Sequence, residues 1–387
     1  MFLNKRMLPK IQIILFAFFF IFNFVDRAIS NVFLILTLIS CLYDFSNLKS
    51  ELIKNKNILI AVILFTTWII IIGFYHNSPI SELDNYFRFL LLLPLFVLKI
   101  EYRVWITIIV FSGVAAVINL IFNYLDYDVA RFQGTSSHPI TYANMITTLL
   151  LLLALTLRDY ISKKITFILL LCLISLLFFA WIMTATRGPI IGLVLAFIII
   201  MFWYRSKLTL FLTLLPFVIL FSLPNNLNDR LSSLIDNDIN FGNTNSITQF
   251  LKSDTIKNHS LKERISYLVY GSSIINKHPI VGIGPHNIKR SMKSYINREG
   301  YNAESRDHLH NEYIDISAKF GLPSLFLLLF IYFNFINKNY LNFNKSELII
   351  VMIMLVSSQL TQSHFAHHQA ITFFISAMII AYNLKKT

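Results

Sequence analysis

Two histidines stand two residues apart in the run His308-Leu309-His310-Asn311-Glu312, and two arginines distant in the chain, Arg187 and Arg264, stand beside residues suited to turns and helix starts. Imidazole is the side chain best matched to removing a proton from a hydroxyl near neutral pH. A guanidinium stays charged throughout the biological range and binds phosphate bidentately through its planar fork. A proton acceptor and an anion clamp are what these types offer. Plainer readings stand beside them: an arginine reaching to lipid headgroups for Arg187, a solvated Arg–Glu pair for Arg264, and a surface histidine at a helix start for His310.

The spacing of His308 and His310 also suits a metal on an extended segment, but no cysteine and no Asp/Glu constellation completes such a site. Cys41 and Cys172 lie in apolar stretches without metal or redox spacing and read as small buried hydrophobes. His364, His367 and His368 fall in a short turn between apolar stretches and read as interfacial polar residues rather than ligands.

The elements that must position these groups are set by composition. The 387 residues are 56% hydrophobic and 14% charged, with 36 Phe, and mean hydropathy is +0.64. That profile places the chain among all-α polytopic membrane proteins. A span takes about 20 mostly apolar residues. On that rule the sequence predicts about twelve, centred near Phe18, Thr37, Thr66, Leu92, Ser112, Thr148, Ser175, Phe197, Leu215, Leu328, Met354 and Phe374. The first is expected to be a span and not a cleaved signal, because no small-residue cleavage site follows it. Residues 1–224 would then hold the first nine spans, 225–311 one large polar loop containing short helices, and 312–387 the last three.

A net charge of +13 suggests nucleic acid, yet the basic residues do not form one patch. Seventeen lysines and arginines, from Lys5, Arg6 and Lys10 through to Lys385 and Lys386, fall in alternate short segments. The intervening short segments hold four: Arg27, Arg88, Arg131 and Arg187. This bias predicts that both termini are cytoplasmic and that the long loop is outside, and it makes the charge a topology signal. The spans are clean of ionisable residues, which argues against an ion-coupled transporter. Ionisable residues collect at the predicted outer edge instead: Arg88, Arg131, His138, Arg187, Arg264, His308, His310, His364, His367 and His368.

Within the loop, Asn225 to Asn258 is rich in turn formers. Ser260-Leu261-Lys262-Glu263 reads as a capping box opening a helix that stops near Lys277 before Pro279. Its predicted apolar stripe is Leu261, Ile265, Leu268 and Val269, then Ser272. The segment His278 to Pro285 carries two glycines and two prolines and reads as a rigid turn. Asn311 is expected to cap a further helix, with Glu312 and Asp315 in its first turns, leading into the next span through Gly321-Leu322-Pro323.

Taken in order, Thr184-Ala185-Thr186-Arg187-Gly188, Ser260-Leu261-Lys262-Glu263-Arg264, Pro279-Ile280-Val281-Gly282-Ile283-Gly284 and His308-Leu309-His310-Asn311-Glu312 resemble the bacterial O-antigen ligase/polymerase superfamily. Within it the chain looks most like the lipid A-core:surface polymer ligases of the WaaL type, over a stretch from Arg131 to about Phe326. The resemblance implies a GT-C-like fold and an inverting, metal-independent glycosyltransferase without cofactors, acting at the periplasmic face of the inner membrane. The donor would be a glycan on undecaprenyl diphosphate and the acceptor lipid A-core. Membrane lipids and the polymerase and chain-length machinery are the implied surroundings, with no nucleic acid. Carried over residue by residue, His310 matches the catalytic histidine and Arg187 and Arg264 the arginines holding the diphosphate. His308 and Arg131 would lie in the substrate-binding surroundings. Three rivals stay open: a Wzy-type polymerase joining lipid-linked repeats, a protein O-oligosaccharyltransferase, and an exporter with no chemistry.

Overall fold

A computed structural model describes residues 7–126, 132–136, 138–160, 162–204, 251, 259–301, 303–337 and 346–384. Over these residues the chain is all-helical. In order the helices are α1 (Leu8–Phe22), α2 (Arg27–Tyr43), α3 (Phe45–Lys54), α4 (Lys56–Tyr75), α5 (Arg88–Leu91), α6 (Tyr102–Asp126), α7 (Pro139–Thr156), α8 (Lys164–Met183) and α9 (Pro189–Tyr204). They continue with α10 (His259–Lys277), α11 (Ile288–Glu299), α12 (Glu312–Phe320), α13 (Leu322–Asn337), α14 (Ser346–Gln359) and α15 (His368–Asn383).

Long apolar runs become helices because, in lipid, a helix satisfies its backbone N–H and C=O groups within itself. Among the described residues, α4, α7, α8 and Tyr102–Asn123 of α6 are long and apolar enough to cross a membrane. The pair α2 and α3, bent by 88°, adds a fifth candidate if counted as one span. Helices α1, α13 and α14 are apolar but shorter. The chain is thus a multi-span helical membrane protein, while the count of twelve is not shown. The stretch expected as a span near Leu215, and the turn-rich Asn225 to Asn258 apart from Leu251, lie outside the described residues.

One expected span takes a different form. Around Leu92 the chain breaks into 3-10 turns at Ile80–Glu82, Asp84–Phe87 and Leu93–Val97, with only the four-residue α5 between them. Pro94 has no N–H to give and its ring crowds the carbonyl four residues earlier, so α5 cannot run on past Leu91 into Leu93–Val97. Composition alone does not reveal this, because the residues around the proline are uniformly apolar.

Helix α7 is the centre of the bundle, its span wholly buried and packed against α6, α8, α9, α14 and α15. Three of its threonine hydroxyls bond back to the helix's own carbonyls: Thr147 Oγ1 donates to Ala143 at 2.7 Å, Thr148 Oγ1 to Asn144 at 2.8 Å and Thr156 Oγ1 to Leu153 at 2.7 Å.

Helices α10, α11 and α12 form a second, smaller core around Tyr267, Tyr270, Ile274, Ile288, Met292, Ile296, Leu309 and Ala318. This layer covers one end of the bundle, the end at which α4 finishes. There His76 Nε2 lies 3.1 Å from the Val281 carbonyl and Ser78 Oγ 3.0 Å from His286 Nδ1. At the opposite end, where α4 begins, the Tyr382 hydroxyl donates to Asn55 Oδ1 at 2.8 Å.

The helix α10 ends at Lys277 as predicted and begins at His259. Ile265 and Val269 of the predicted stripe pack against the smaller core, but they are not its buried centre. Tyr267, Tyr270 and Ile274 point inward, while Leu268 is 38% exposed and Ser272 is exposed. The pattern misleads because the two tyrosines bury their rings and still place their hydroxyls: Tyr267 donates to the Glu304 carbonyl at 3.0 Å and Tyr270 to that of Ile288 at 3.3 Å.

Candidate functional site

The segment bearing His310 is held by its neighbours on both sides. Asn311 is extended (φ −147°) and its Oδ1 accepts the Ile314 N–H at 3.1 Å, the predicted cap of α12. The Asn311 Nδ2 donates to the Leu360 carbonyl at 3.1 Å. On the other side, the Leu309 N–H donates to Asp315 Oδ1 at 2.9 Å. The second oxygen of Asp315 accepts Lys319 Nζ at 2.7 Å, a pair buried inside α12. Between these anchors His310 adopts φ +52°, a left-handed conformation that costs a non-glycine residue about 1–3 kcal/mol.

The glycine-rich segment predicted to be rigid closes the far end of α12. The Ile283 N–H donates to the Ala318 carbonyl at 2.9 Å and the Gly284 N–H to that of Lys319 at 3.0 Å. These carbonyls belong to the last turn of α12, where no helical donor reaches them. Gly282 sits at φ +61°, and a Cβ there would lie 2.5 Å from the Ala318 oxygen. Only glycine permits both the torsion and the approach.

The His310 ring lies parallel to Tyr267 of α10, with centroids 5.7 Å apart and planes at 19°. The His308 ring meets it edge-on at 4.5 Å. His310 Nδ1 is 2.9 Å from Gln362 Oε1, and the amide nitrogen of Gln362 contacts His367 Nε2. His367 is in turn 5.7 Å, ring to ring, from both His308 and His138. Four segments that are remote in sequence therefore bring a group of imidazoles together at the α12 end of the bundle.

Burial pushes the His310 imidazole down to about 3, and the charges of His308, Arg264 and Arg306 push the same way. The hydrogen bond to Gln362 works against them, more strongly than either arginine alone. His310 is consequently neutral over the physiological range, the state a proton acceptor requires. His308 is placed differently: its Nδ1 is 2.8 Å from Oδ1 of Asp307, an outward-facing carboxylate. That hydrogen bond holds the Asp307 carboxyl well below its usual range.

Arg264, half-buried on α10, lies within electrostatic reach of His310. Arg187 lies in the tight turn joining α8 to α9, where Ala185 adopts φ +48° and the Thr184 and Thr186 hydroxyls are 2.8 Å apart. Its successor Gly188 packs so closely on the α14–α15 turn that a Cβ there would be 3.0 Å from Thr361 Oγ1. Thr361 precedes Gln362, so the Arg187 turn adjoins the segment that holds His310. Arg131 lies outside the described residues. Among the described residues no group of three or more His, Cys, Asp or Glu is arranged to hold a metal ion.

Several participants carry no motif of their own. Gln362, Tyr267 and Arg306 are not singled out by residue type, and His367 reads from sequence as an interfacial residue. Arg306, like Arg264, bears on His310 electrostatically, and its guanidinium is 3.0 Å from Glu304 and 3.8 Å from Glu263. The available signal is density of polar residues: Gln359, Thr361, Gln362, Ser363 and His364 crowd between two apolar helices, where a plain turn needs none of them.

No curated protein matches the chain. Residues 170–330 match the family model Wzy_C, described as O-antigen ligase. The match begins within α8 and ends within α13, so it takes in Arg187, Arg264 and His310 and stops short of Gln362 and His367. Over residues 170–330 the chain carries a Wzy_C O-antigen ligase domain, the kind shared by O-antigen ligases and Wzy polymerases.

Proposed function

We propose that the protein is a glycosyltransferase that moves a glycan from a polyprenyl diphosphate to an acceptor sugar hydroxyl, with His310 as general base. The observation that carries this reading is a half-buried, neutral imidazole with Arg264 in electrostatic reach, inside a stretch that matches the O-antigen ligase family. We assign the acceptor as lipid A-core and the donor as O-antigen on undecaprenyl diphosphate, with the site at the periplasmic face and both termini in the cytoplasm.

The reaction balances without a nucleotide. The acceptor oxygen gives its proton to His310 and forms a bond to the anomeric carbon. The bond from that carbon to the diphosphate oxygen breaks on the opposite face, and its electron pair leaves with the diphosphate, so configuration inverts. Arg264, and Arg187 from the adjoining turn, neutralise the charge that grows on the departing diphosphate, where electrostatic stabilisation is most effective. General base catalysis accounts for about 10²–10⁴-fold. Positioning and the arginines supply the remainder.

The test is purified protein in vesicles with lipid-linked donor and lipid A-core acceptor, in the absence of ATP. Release of carrier diphosphate together with glycan on lipid A-core is expected. Elongation of lipid-linked repeats instead would make the protein a polymerase, and glycan on protein a protein O-oligosaccharyltransferase. Glycan movement across the vesicle with no bond made would make it an exporter.

A further inference from the structure

Gln362 is fully buried in the turn between α14 and α15 and spans two imidazoles, with its Oε1 2.9 Å from His310 Nδ1 and its amide nitrogen on His367 Nε2. A carboxamide has a direction: the oxygen only accepts and the nitrogen only donates. Both contacts are hydrogen bonds only if His310 carries its hydrogen on Nδ1 and His367 carries none on Nε2. The lone pair of neutral His310 then lies on Nε2, the nitrogen that does not face Gln362.

The side chain has little freedom to do otherwise. Its own backbone N–H donates to the Ser358 carbonyl at 3.0 Å. The preceding Thr361 packs on Gly188, and the Leu360 carbonyl accepts Asn311 Nδ2. The turn that carries Gln362 is thereby fixed to the residue next to His310. Tyr267 lies along one face of the imidazole.

We propose that Gln362 is a positioning residue: it holds His310 as the Nδ1–H tautomer and so presents Nε2 as the atom that accepts the acceptor's proton. The proposal rests on the reading of His310 as base and extends it to a residue beyond the matched stretch. Gln362 takes the place that a carboxylate holds in hydrolase triads, where the orienting group fixes the tautomer and also stabilises the imidazolium. An amide fixes the tautomer without adding a negative charge. The proton taken up by His310 is therefore met at Nδ1 by a neutral acceptor and not by a carboxylate.

The experiment uses the full chain in lipid nanodiscs with ¹⁵N-labelled histidine, the His310 signals being identified by their loss in His310→Asn. The wild type should show a protonated Nδ1 and an unprotonated Nε2 at neutral pH, read without substrate. Gln362→Met, similar in length but without a hydrogen-bonding amide, should lose that tautomer preference and reduce kcat on the order of 10–10²-fold, with the donor KM unchanged. Gln362→Glu still accepts from Nδ1–H and adds a charge, so it should keep the tautomer, retain transfer and move the acid limb of the rate profile to higher pH. That limb is read with the other groups facing the ring, Arg264, Arg306, His308 and His367, unchanged in every variant.

An Nε2–H tautomer in the wild type overturns the proposal, as does a Gln362→Met protein with unaltered tautomer and kcat. Equal loss in both variants with an unmoved limb overturns it too, since that pattern means packing alone. The spectra separate this failure from that of the wider reading. Transfer by a wild type holding the wrong tautomer sinks only the role of Gln362, whereas the expected tautomer in a protein that transfers nothing sinks the base itself.

Discussion

At the scale of the residue, His310 carries two burdens at once, a left-handed backbone and an imidazole depressed to about 3. Asparagine tolerates the left-handed region and cannot act as a base. His310→Asn should therefore fold and insert like the wild type while transfer falls by about 10²–10⁴-fold. Near-normal transfer by that variant would remove the base assignment. The depressed imidazole also fixes the sign of a pH effect. In the window from 6.5 down to about 3 the unfolded chain takes up a proton that the folded protein refuses, so His310 makes stability rise with pH there and adds nothing further above 6.5. For catalysis, kcat/KM reports the free enzyme and should stay flat as pH is lowered through 6.5. A bound diphosphate offsets the charge of Arg264 and Arg306, so the acid limb of kcat should lie at higher pH than that of kcat/KM. Coincident limbs near 6.5 would mean an exposed histidine does the work. The candidates His310, Arg187 and Arg264 stand out in the sequence because each proposed chemistry has few side chains that perform it. Gln362 does not, because what an amide can do depends on what it faces.

At the scale of the element, α12 is the part that turns a loop into a site. Asn311, Glu312 and Asp315 were legible as a helix start, and the structure has that helix. Their second roles were hidden. Asp315 anchors Leu309 through one oxygen and Lys319 through the other, and Glu312 is buried with its Oε2 accepting the Phe365 N–H at 2.9 Å. Burial raises the Glu312 carboxyl, and the Asp315 charge raises it further. Spacing shows that acids suit a first turn, but not that both face inward, since burial on every side leaves no amphipathic pattern to read. The α10 stripe was only partly right for a related reason: Ile265 and Val269 pack on the core, but its buried tyrosines count as half-polar until a hydroxyl partner is known. Removing one member of a buried ion pair leaves the other uncompensated, typically at about 3–5 kcal/mol. Asp315→Asn should lower stability to denaturant by about that much, because Lys319 loses its counter-charge while Leu309 keeps an acceptor. Adding Lys319→Met should return most of it. Wild-type stability in the single variant would show that the pair anchors nothing.

At the scale of the whole molecule, the site depends on segments that only the bundle brings together, and on the bundle having two distinct ends. Apolar runs made the multi-span class legible. They could not show that Pro94 breaks one run or that α2 and α3 meet at 88°, because hydropathy does not sense where a backbone bends. Helix α4 joins the two ends over 20 residues, about 30 Å of rise, which is the thickness of a bilayer core. At its start Lys54 has a side chain 61% exposed; near its finish lies the layer of α10 to α12, where the Asp307 side chain is 81% exposed. If the donor diphosphate is met at the outer surface, these two positions must lie on opposite sides of the membrane. A membrane-impermeant thiol reagent applied to spheroplasts should label Asp307→Cys and leave Lys54→Cys untouched until the membrane is opened. Both substitutions are made in a chain with Cys41 and Cys172 replaced, because neither thiol has a disulfide partner. Labelling of Lys54→Cys alone in intact cells would place the imidazole group in the cytoplasm, beyond the reach of a glycan assembled outside.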